Sequence, residues 1–282
     1  MIVSELCVYP LKSCQGISVS QAEVRTQGFV SDRSMMLVSS SGKFITQRQF
    51  PQLAKVKVEI IRQTITLRAE DDSMPSLTFT PTLEGEILEV EIWRDRLQAI
   101  DQGDAVARWF HQLLDLDSSK ICRLVKQSPE HKRILPKKYS SQEDIPVSFA
   151  DSYPVMLTAT ASLVELNQRM EEIHLSQKQT IPMNRFRPNI VVETTEPFIE
   201  DRWSAVRIGD IIFTVAKPCS RCIITTIDQN KGEKNQLKEP LNTLGTFRQL
   251  SEQGVMFGVN MIPQNEGTIR KSDRLQILET RD

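Results

Sequence analysis

Apolar positions along this chain gather in short runs. In its first hundred residues, segments 2–9, 17–24, 34–39, 56–61, 64–69, 77–80 and 87–93 are rich in β-branched and other apolar side chains. Turn signals such as Ser39-Ser-Ser-Gly42 and Asp71-Asp-Ser73 separate them. Many short strands at such intervals predict a barrel or sandwich. A helical period then takes over at 104–116, with Val106, Phe110, Leu113 and Leu114 on one stripe and Asp104 as the expected N-cap. A second helix is expected at 161–173, with Leu163, Leu166, Met170 and Ile173 on one face and Thr160 as its cap. Strands return at 190–193, 206–216, 223–227, 255–262 and 268–277, with a short helix at 242–251.

The polar, basic segment 127–142, with its two prolines, reads as a linker or long loop. The expected fold is mainly β (α+β). It falls in two parts, 1–125 and 126–282.

Composition narrows the functional classes. At 282 residues, 39% hydrophobic and 25% charged, the chain is long enough to bury a sizeable core, and its net charge of −1 offers no broad basic face for nucleic acid. No apolar run approaches the ~18 residues that cross a bilayer, and the N-terminus lacks the pattern of a signal peptide. The five cysteines are an odd number without an export signal, which favours reduced thiols and the cytoplasm. Only three histidines occur, at 111, 131 and 174, so histidine-based metal sites have little to work with.

Chemistry concentrates in four segments. In Lys217-Pro-Cys-Ser-Arg-Cys-Ile-Ile-Thr-Thr-Ile-Asp228 a cation stands between two thiols, and nearby positive charge favours the thiolate, the form that attacks and ligates. A partly buried pair without special role is one reading. Structural zinc lacks a second Cys-x-x-Cys. A thioredoxin-like motif should open a helix, whereas the residues after Cys222 favour a strand. A ligand to a redox metal, or an acceptor of sulfur, remains.

In Tyr9-Pro-Leu-Lys-Ser-Cys-Gln-Gly16, Lys12 and Ser13 precede a glycine turn, either as an anion site or as a solvated loop. In Ser31-Asp-Arg-Ser34, Arg33 is either an anion clamp held by Asp32 or half of a surface ion pair. In Met183-Asn-Arg-Phe-Arg-Pro-Asn-Ile190, Pro188 biases Arg187 to extended backbone, which would place Arg185, Arg187 and Asn189 on one face. A basic edge strand is the plain alternative. Together the segments supply cations for an anionic tail and a thiolate for a metal, a set suited to a phosphorylated pterin dithiolene carrying molybdenum.

These motifs, YPLKSCQG (9–16), SDR (31–33), TQRQFPQL (46–53), NRFRPNIVV (184–192), KPCSRCIITTID (217–228) and GTIRKSDRL (267–275), resemble in order those of MOSC proteins with an N-terminal β-barrel partner domain. That family includes the mitochondrial amidoxime reducing component and its bacterial relatives. For the fold, the resemblance implies an N-terminal β-barrel-like domain over 1–125 and a C-terminal β-barrel domain with a few helices over 126–282. The resemblance implies a molybdenum cofactor (molybdopterin) with Cys222 as metal ligand and catalytic centre. It implies cofactor binding by Lys12, Ser13, Arg33, Arg187 and Ser220, with Arg185, Asn189 and Asp228 joined to them by proximity in the motifs.

The implied activity is reduction of small N-hydroxylated compounds (hydroxylamines, amidoximes, N-hydroxylated bases) by oxygen atom transfer. Because no cysteine follows Cys222, electrons are expected from a separate flavoprotein reductase or ferredoxin-type protein. No nucleic-acid or membrane partner is expected. The competing reading is a carrier of molybdenum cofactor or sulfur without turnover, as the MOSC domain of molybdenum cofactor sulfurases suggests. No pyridoxal-binding sulfurase domain accompanies it, so a partner desulfurase would be needed. The loop Lys231-Gly-Glu-Lys234 departs from the family pattern.

Overall fold

The computed structural model describes residues 1–69, 74–135, 144–175 and 180–281. Its elements are mostly strands, with three α-helices among the described residues. The longest ladder joins Ile211–Ser220 to Gly254–Pro263, antiparallel, from Phe213↔Pro263 to Ser220↔Met256. Around it the main sheet runs in the order Ile17–Val19, Val3–Val8, Ile190–Val192, Val155–Ala159, Gly254–Pro263, Ile211–Ser220, Trp203–Ile208, Leu275–Thr280. Its one parallel pair along that path, Val155–Ala159 with Ile190–Val192, is spanned by the helix Thr160–Ile173, as a parallel crossover requires. Leu6, Leu157, Ile190, Trp203, Phe213 and Val259 are fully buried in the core of this sheet.

A five-stranded sheet, ordered Ile87–Ile92, Asp95–Asp101, Cys122–Gln127, Met35–Ser39, Phe44–Ile45, forms the other main layer. The helix Asp104–Leu113 places Val106, Trp109 and Phe110 in one core with Leu37, Leu124 and the hairpin residues Ile65 and Leu67. The two halves expected from the sequence exchange strands. Val3–Val8 pairs with Ile190–Val192, and Gln21–Arg25 pairs with Gly267–Arg270. The chain therefore enters through the C-terminal sheet and crosses at residues 9–13, where a bridge from Leu11 to Met35 begins the other layer. No helix among the described residues is long and apolar enough to cross a membrane.

Several local expectations are corrected. Segment 223–227 is not a strand but a 3-10 turn, Ile223–Thr226. The hydroxyls of Thr225 and Thr226 donate back to the carbonyls of Cys222 and Ile223, which competes with a strand ladder. Segment 183–190 is not extended at its start: Met183–Phe186 is a 3-10 turn and Arg187 is left-handed (φ 54°, ψ 47°), so Arg185 and Arg187 do not share a face. Segment 206–216 is a hairpin, Trp203–Ile208 and Ile211–Ser220, turning at Gly209 with φ +56°. Segment 268–277 breaks into Gly267–Arg270 and Leu275–Thr280.

Gly103 and Ala159, not Asp104 and Thr160, occupy the N-cap positions, and Asp104 instead pairs with Arg123. Strands at Asp95–Asp101, Cys122–Gln127 and Val155–Ala159 were not anticipated. The described part of the expected linker contains Arg133–Ile134, paired with Pro146–Val147, while 136–142 and the turn at 71–73 lie outside the described residues.

Candidate functional site

The candidate residues stand at or beside strand ends. Val3–Val8 delivers Lys12 and Ser13. The Arg33 N–H donates to the Tyr9 carbonyl at 2.7 Å, and the Phe149 N–H donates to the Arg33 carbonyl at 2.9 Å. Ile211–Ser220 delivers Cys222, held by the Arg221 N–H on the Val255 carbonyl (2.7 Å) and by the Thr225 N–H and hydroxyl on the Cys222 carbonyl. Ser13, Arg33 and Arg187 all have left-handed backbones, with φ of 71°, 46° and 54°. Such conformations cost energy for non-glycine residues and gather where geometry serves a site.

Lys12, Ser13, Arg33, Arg187, Asn189, Ser220 and Cys222 line one cavity of about 170 Å³. Arg185 does not line it. Arg185 is buried beside the turn and donates to Asp228 at 2.9 Å, while Asp228 accepts the N–H groups of Asn230 and Lys231. That pair braces the loop after Cys222. Burial pushes the Asp228 carboxyl up, but those N–H groups and Arg185 outweigh it and hold it below the usual range.

The cavity is rich in positive charge. Lys12 Nζ donates to the Phe149 carbonyl (2.8 Å) and to Asp151 (2.5 Å), which leaves its third N–H for a ligand. Burial lowers its pKa, and Asp151 only partly restores it. Asp151 is itself held well below the carboxylate range, because Lys12 overcomes its desolvation. Arg33 pairs with Asp32 at 2.5 Å; burial opposes its charge, but Asp32 prevails and raises its pKa. Arg187 has no carboxylate partner among the described residues. Its guanidinium donates to Gln229 (3.2 Å) and lies over the Tyr9 ring (4.3 Å), and burial lowers its pKa. A buried cation held this way, without a carboxylate, has its charge open to an anionic partner.

Asn189 serves as a brace: its Oδ1 accepts from Arg33 (3.2 Å) and from the Met156 N–H (3.2 Å), and its Nδ2 donates to the Cys7 carbonyl. The five cysteines separate by setting. Burial pushes Cys14 up to about 12 and Cys122 to about 11, and it also raises Cys7, which keeps these three protonated and inert. Cys219 and Cys222 line the cavity, each with a guanidinium nitrogen on its sulfur: Arg221 at 3.1 Å and Arg48 at 3.2 Å.

Sequence reasoning passed over Arg48, Tyr9, Trp93 and Asp151. Arg48 lies within the TQRQFPQL segment and Tyr9 opens YPLKSCQG, so both carried a signal. Trp93 and Asp151 come from turns without a motif.

The donor set fits a phosphorylated dithiolene cofactor. Among the described residues no three His, Cys, Asp or Glu side chains cluster as a metal cage. A metal carried by an organic ligand would find one soft sulfur in Cys222. The unpaired cation of Arg187 and the free N–H of Lys12 suit that ligand's phosphate.

Comparisons with known proteins identify two domains and several relatives. The profile for the MOSC N-terminal beta barrel domain matches residues 1–117, and that for the MOSC domain matches 144–276. The chain is 32% identical to mitochondrial amidoxime-reducing component 1 of Mus musculus, over 98% of this chain and 82% of that protein. It is 32% identical to mitochondrial amidoxime reducing component 2 of Bos taurus, over 96% and 81%. It is 29% identical to the molybdenum cofactor sulfurase of Oryza sativa subsp. japonica, over 91% of this chain but only 32% of that protein.

Proposed function

We propose a function from one premise: the chain belongs to the family of MOSC proteins that carry an N-terminal MOSC β-barrel domain. On our reading it is a molybdenum-cofactor-dependent oxidoreductase that reduces N-hydroxylated compounds. The reaction balances as R–NHOH plus two electrons and two protons giving R–NH2 and water. The observation that carries the reading is the placement of Cys222 in one cavity with Lys12, Arg33 and Arg187. When bound, the cofactor would supply the two-electron chemistry of this deoxygenation.

The chain's own residues hold and tune that group. Lys12, Arg33 and Arg187 would offset the charge of the phosphate and pterin, and Ser13 and Ser220 line the same cavity. Asn189 and Asp32 fix Arg33, so its fork is set before any ligand arrives. Arg48 donates to the Cys222 sulfur, and a donor on a ligating sulfur withdraws charge and tunes the metal.

Electrons come from a separate flavoprotein reductase or ferredoxin-type partner. The five thiols are all unpaired, which fits a reducing compartment, and we place the protein in the cytosol, although the animal relatives are named mitochondrial. Removing N-hydroxylated compounds gives it a detoxifying role.

The test is reduction of benzamidoxime and 6-hydroxylaminopurine, with a reduced dye as electron source, by protein made in a host that produces molybdopterin. Turnover that vanishes in Cys222→Ala while pterin stays bound supports the reading. Undiminished turnover in that variant contradicts it. A second reading, a carrier of cofactor or sulfur, draws on the presence of both Cys219 and Cys222 in the cavity. It predicts a persulfide on one of them and no turnover.

A further inference from the structure

A second, wider cleft of about 720 Å³ opens from the same thiol, sharing Asp151, Ser152, Ser220, Arg221 and Cys222 with the cofactor cavity. Its far wall is the tip of the hairpin formed by Ile87–Ile92 and Asp95–Asp101. There Ile92 pairs with Asp95, so Trp93 and Arg94 form a two-residue turn. Trp93 is left-handed at φ 58°, a conformation that a bulky side chain rarely adopts. The ring is held in place: Nε1 donates to Asp151 (3.2 Å), the Arg48 guanidinium covers one face at 4.7 Å from the centroid, and Phe44 packs tilted at 5.2 Å. The residue is nonetheless 46% exposed. A two-residue hairpin turn calls for positive φ at its first position, and here it presents an exposed indole at the mouth of the site.

The charges of the cleft do not cancel. Arg133 is committed to Asp95 at 2.6 Å, and Asp151 to Lys12. Arg221 donates to the Phe186 carbonyl and to Cys219. Arg48 has no carboxylate within ion-pair distance among the described residues. Arg94 is exposed and has no side-chain partner among them. A planar ring stacked on Trp93 would meet Arg94, an exposed cation on the same turn, and Arg48, which is shared with the Cys222 sulfur.

We infer that this cleft selects planar aromatic N-hydroxylated substrates bearing a negative charge, a carboxylate or phosphate, with Trp93 as the stacking platform and Arg94 and Arg48 as charge readers. The inference rests on the reductase reading above. It goes further by ranking substrates: anionic aromatic compounds first, neutral ones next, cationic ones last. Because Arg94 is solvent-exposed, the preference falls with salt, as the screening length shrinks from about 10 Å at 0.1 M to about 3 Å at 1 M.

The experiment uses cofactor-loaded, oxidised protein without an electron donor, so that binding is read without turnover. The probes are 4-carboxybenzamidoxime, benzamidoxime and 4-(aminomethyl)benzamidoxime. Trp109 and Trp203 are buried, so quenching of tryptophan emission reports on Trp93. The anionic probe is expected to bind about tenfold more tightly than the neutral one at low salt, and Arg94→Glu is expected to abolish or reverse that order. Equal binding of the three probes, or an order unchanged in Arg94→Glu, overturns the inference. The same probes are then supplied with electrons. If the anionic probe binds best but none is reduced, the reductase reading fails while the ligand preference of the cleft stands.

Discussion

Arg33 Nη2 donates to the backbone carbonyl of Arg187 at 3.0 Å, across 154 residues of sequence. The two guanidiniums also share one aromatic neighbour, lying 4.2 and 4.3 Å from the Tyr9 ring centroid. This contact explains how two like charges persist in one cavity. Each is spread over the ring's negative face, and Arg33 is further held by Asp32 and Asn189.

Arg33→Lys should keep the charge and lose the fork that reaches Asp32, Asn189 and the Arg187 carbonyl together. A hydrogen bond to a charged group is worth about 1.5–3 kcal/mol, so cofactor occupancy should fall at least about tenfold under limiting supply. Molybdenum per protein by elemental analysis, with pterin fluorescence, reads the effect. Unchanged occupancy would place Arg33 outside the binding set.

Asp32 is buried, and its two oxygens are used by the Tyr9 N–H (2.8 Å) and Arg33 (2.5 Å). Asp32→Ala leaves a guanidinium unpaired in a poorly solvated place and should cost about 3–5 kcal/mol of stability by urea unfolding. The double variant Asp32→Ala/Arg33→Met should recover part of that loss. A single-variant cost under about 1 kcal/mol would mean that water reaches the pair.

Gly16 has an ordinary backbone but no room for a side chain. A Cβ there would stand 2.5 Å from Cε1 of Tyr9 and closer still to the Cys7 sulfur. Gly16→Ala should therefore push the Tyr9 ring against Arg33 and Arg187. It should destabilise by about 1–3 kcal/mol and lower cofactor occupancy together. A variant of normal stability and occupancy would show that the ring is free to move.

Glu200 is fully buried, accepts from the Ser162 hydroxyl, and burial raises its pKa from 4.5 to about 7. Between those values the folded state keeps a proton that the unfolded chain has lost. The contribution of this group is therefore fully favourable below about 4.5 and is lost as pH rises through about 7. At 1.36 kcal/mol per unit, the loss is about 3 kcal/mol. Glu200→Gln should flatten the wild-type fall in urea midpoint between pH 5 and pH 8. A parallel pH profile in the variant would contradict the assignment.

What the sequence made legible were strands, turns and charged motifs, because a period of two and a glycine or proline break are local signals. The partners of those strands were not legible. Nothing in residues 2–9 says that they pair with 190–192, since the ladder is closed by contacts far along the chain. Arg187 shows a local rule overruled. Pro188 biases it to extended backbone, but its N–H closes the turn onto Asn184 and its carbonyl receives Arg33, and these bonds hold it left-handed. The β-branched run after Cys222 failed as a strand for a comparable reason, with two threonine hydroxyls satisfying carbonyls that a ladder would have used. Trp93 and Asp151 reach the site by tertiary placement alone.

X-ray absorption at the molybdenum edge tests the central claim most directly. The cofactor-loaded wild-type protein and Cys222→Ala, loaded to the same molybdenum content, should differ by one metal–sulfur contact, with the dithiolene pair kept in both. An unchanged sulfur count in the variant would show that Cys222 does not ligate the metal, and the cationic cavity would need another purpose.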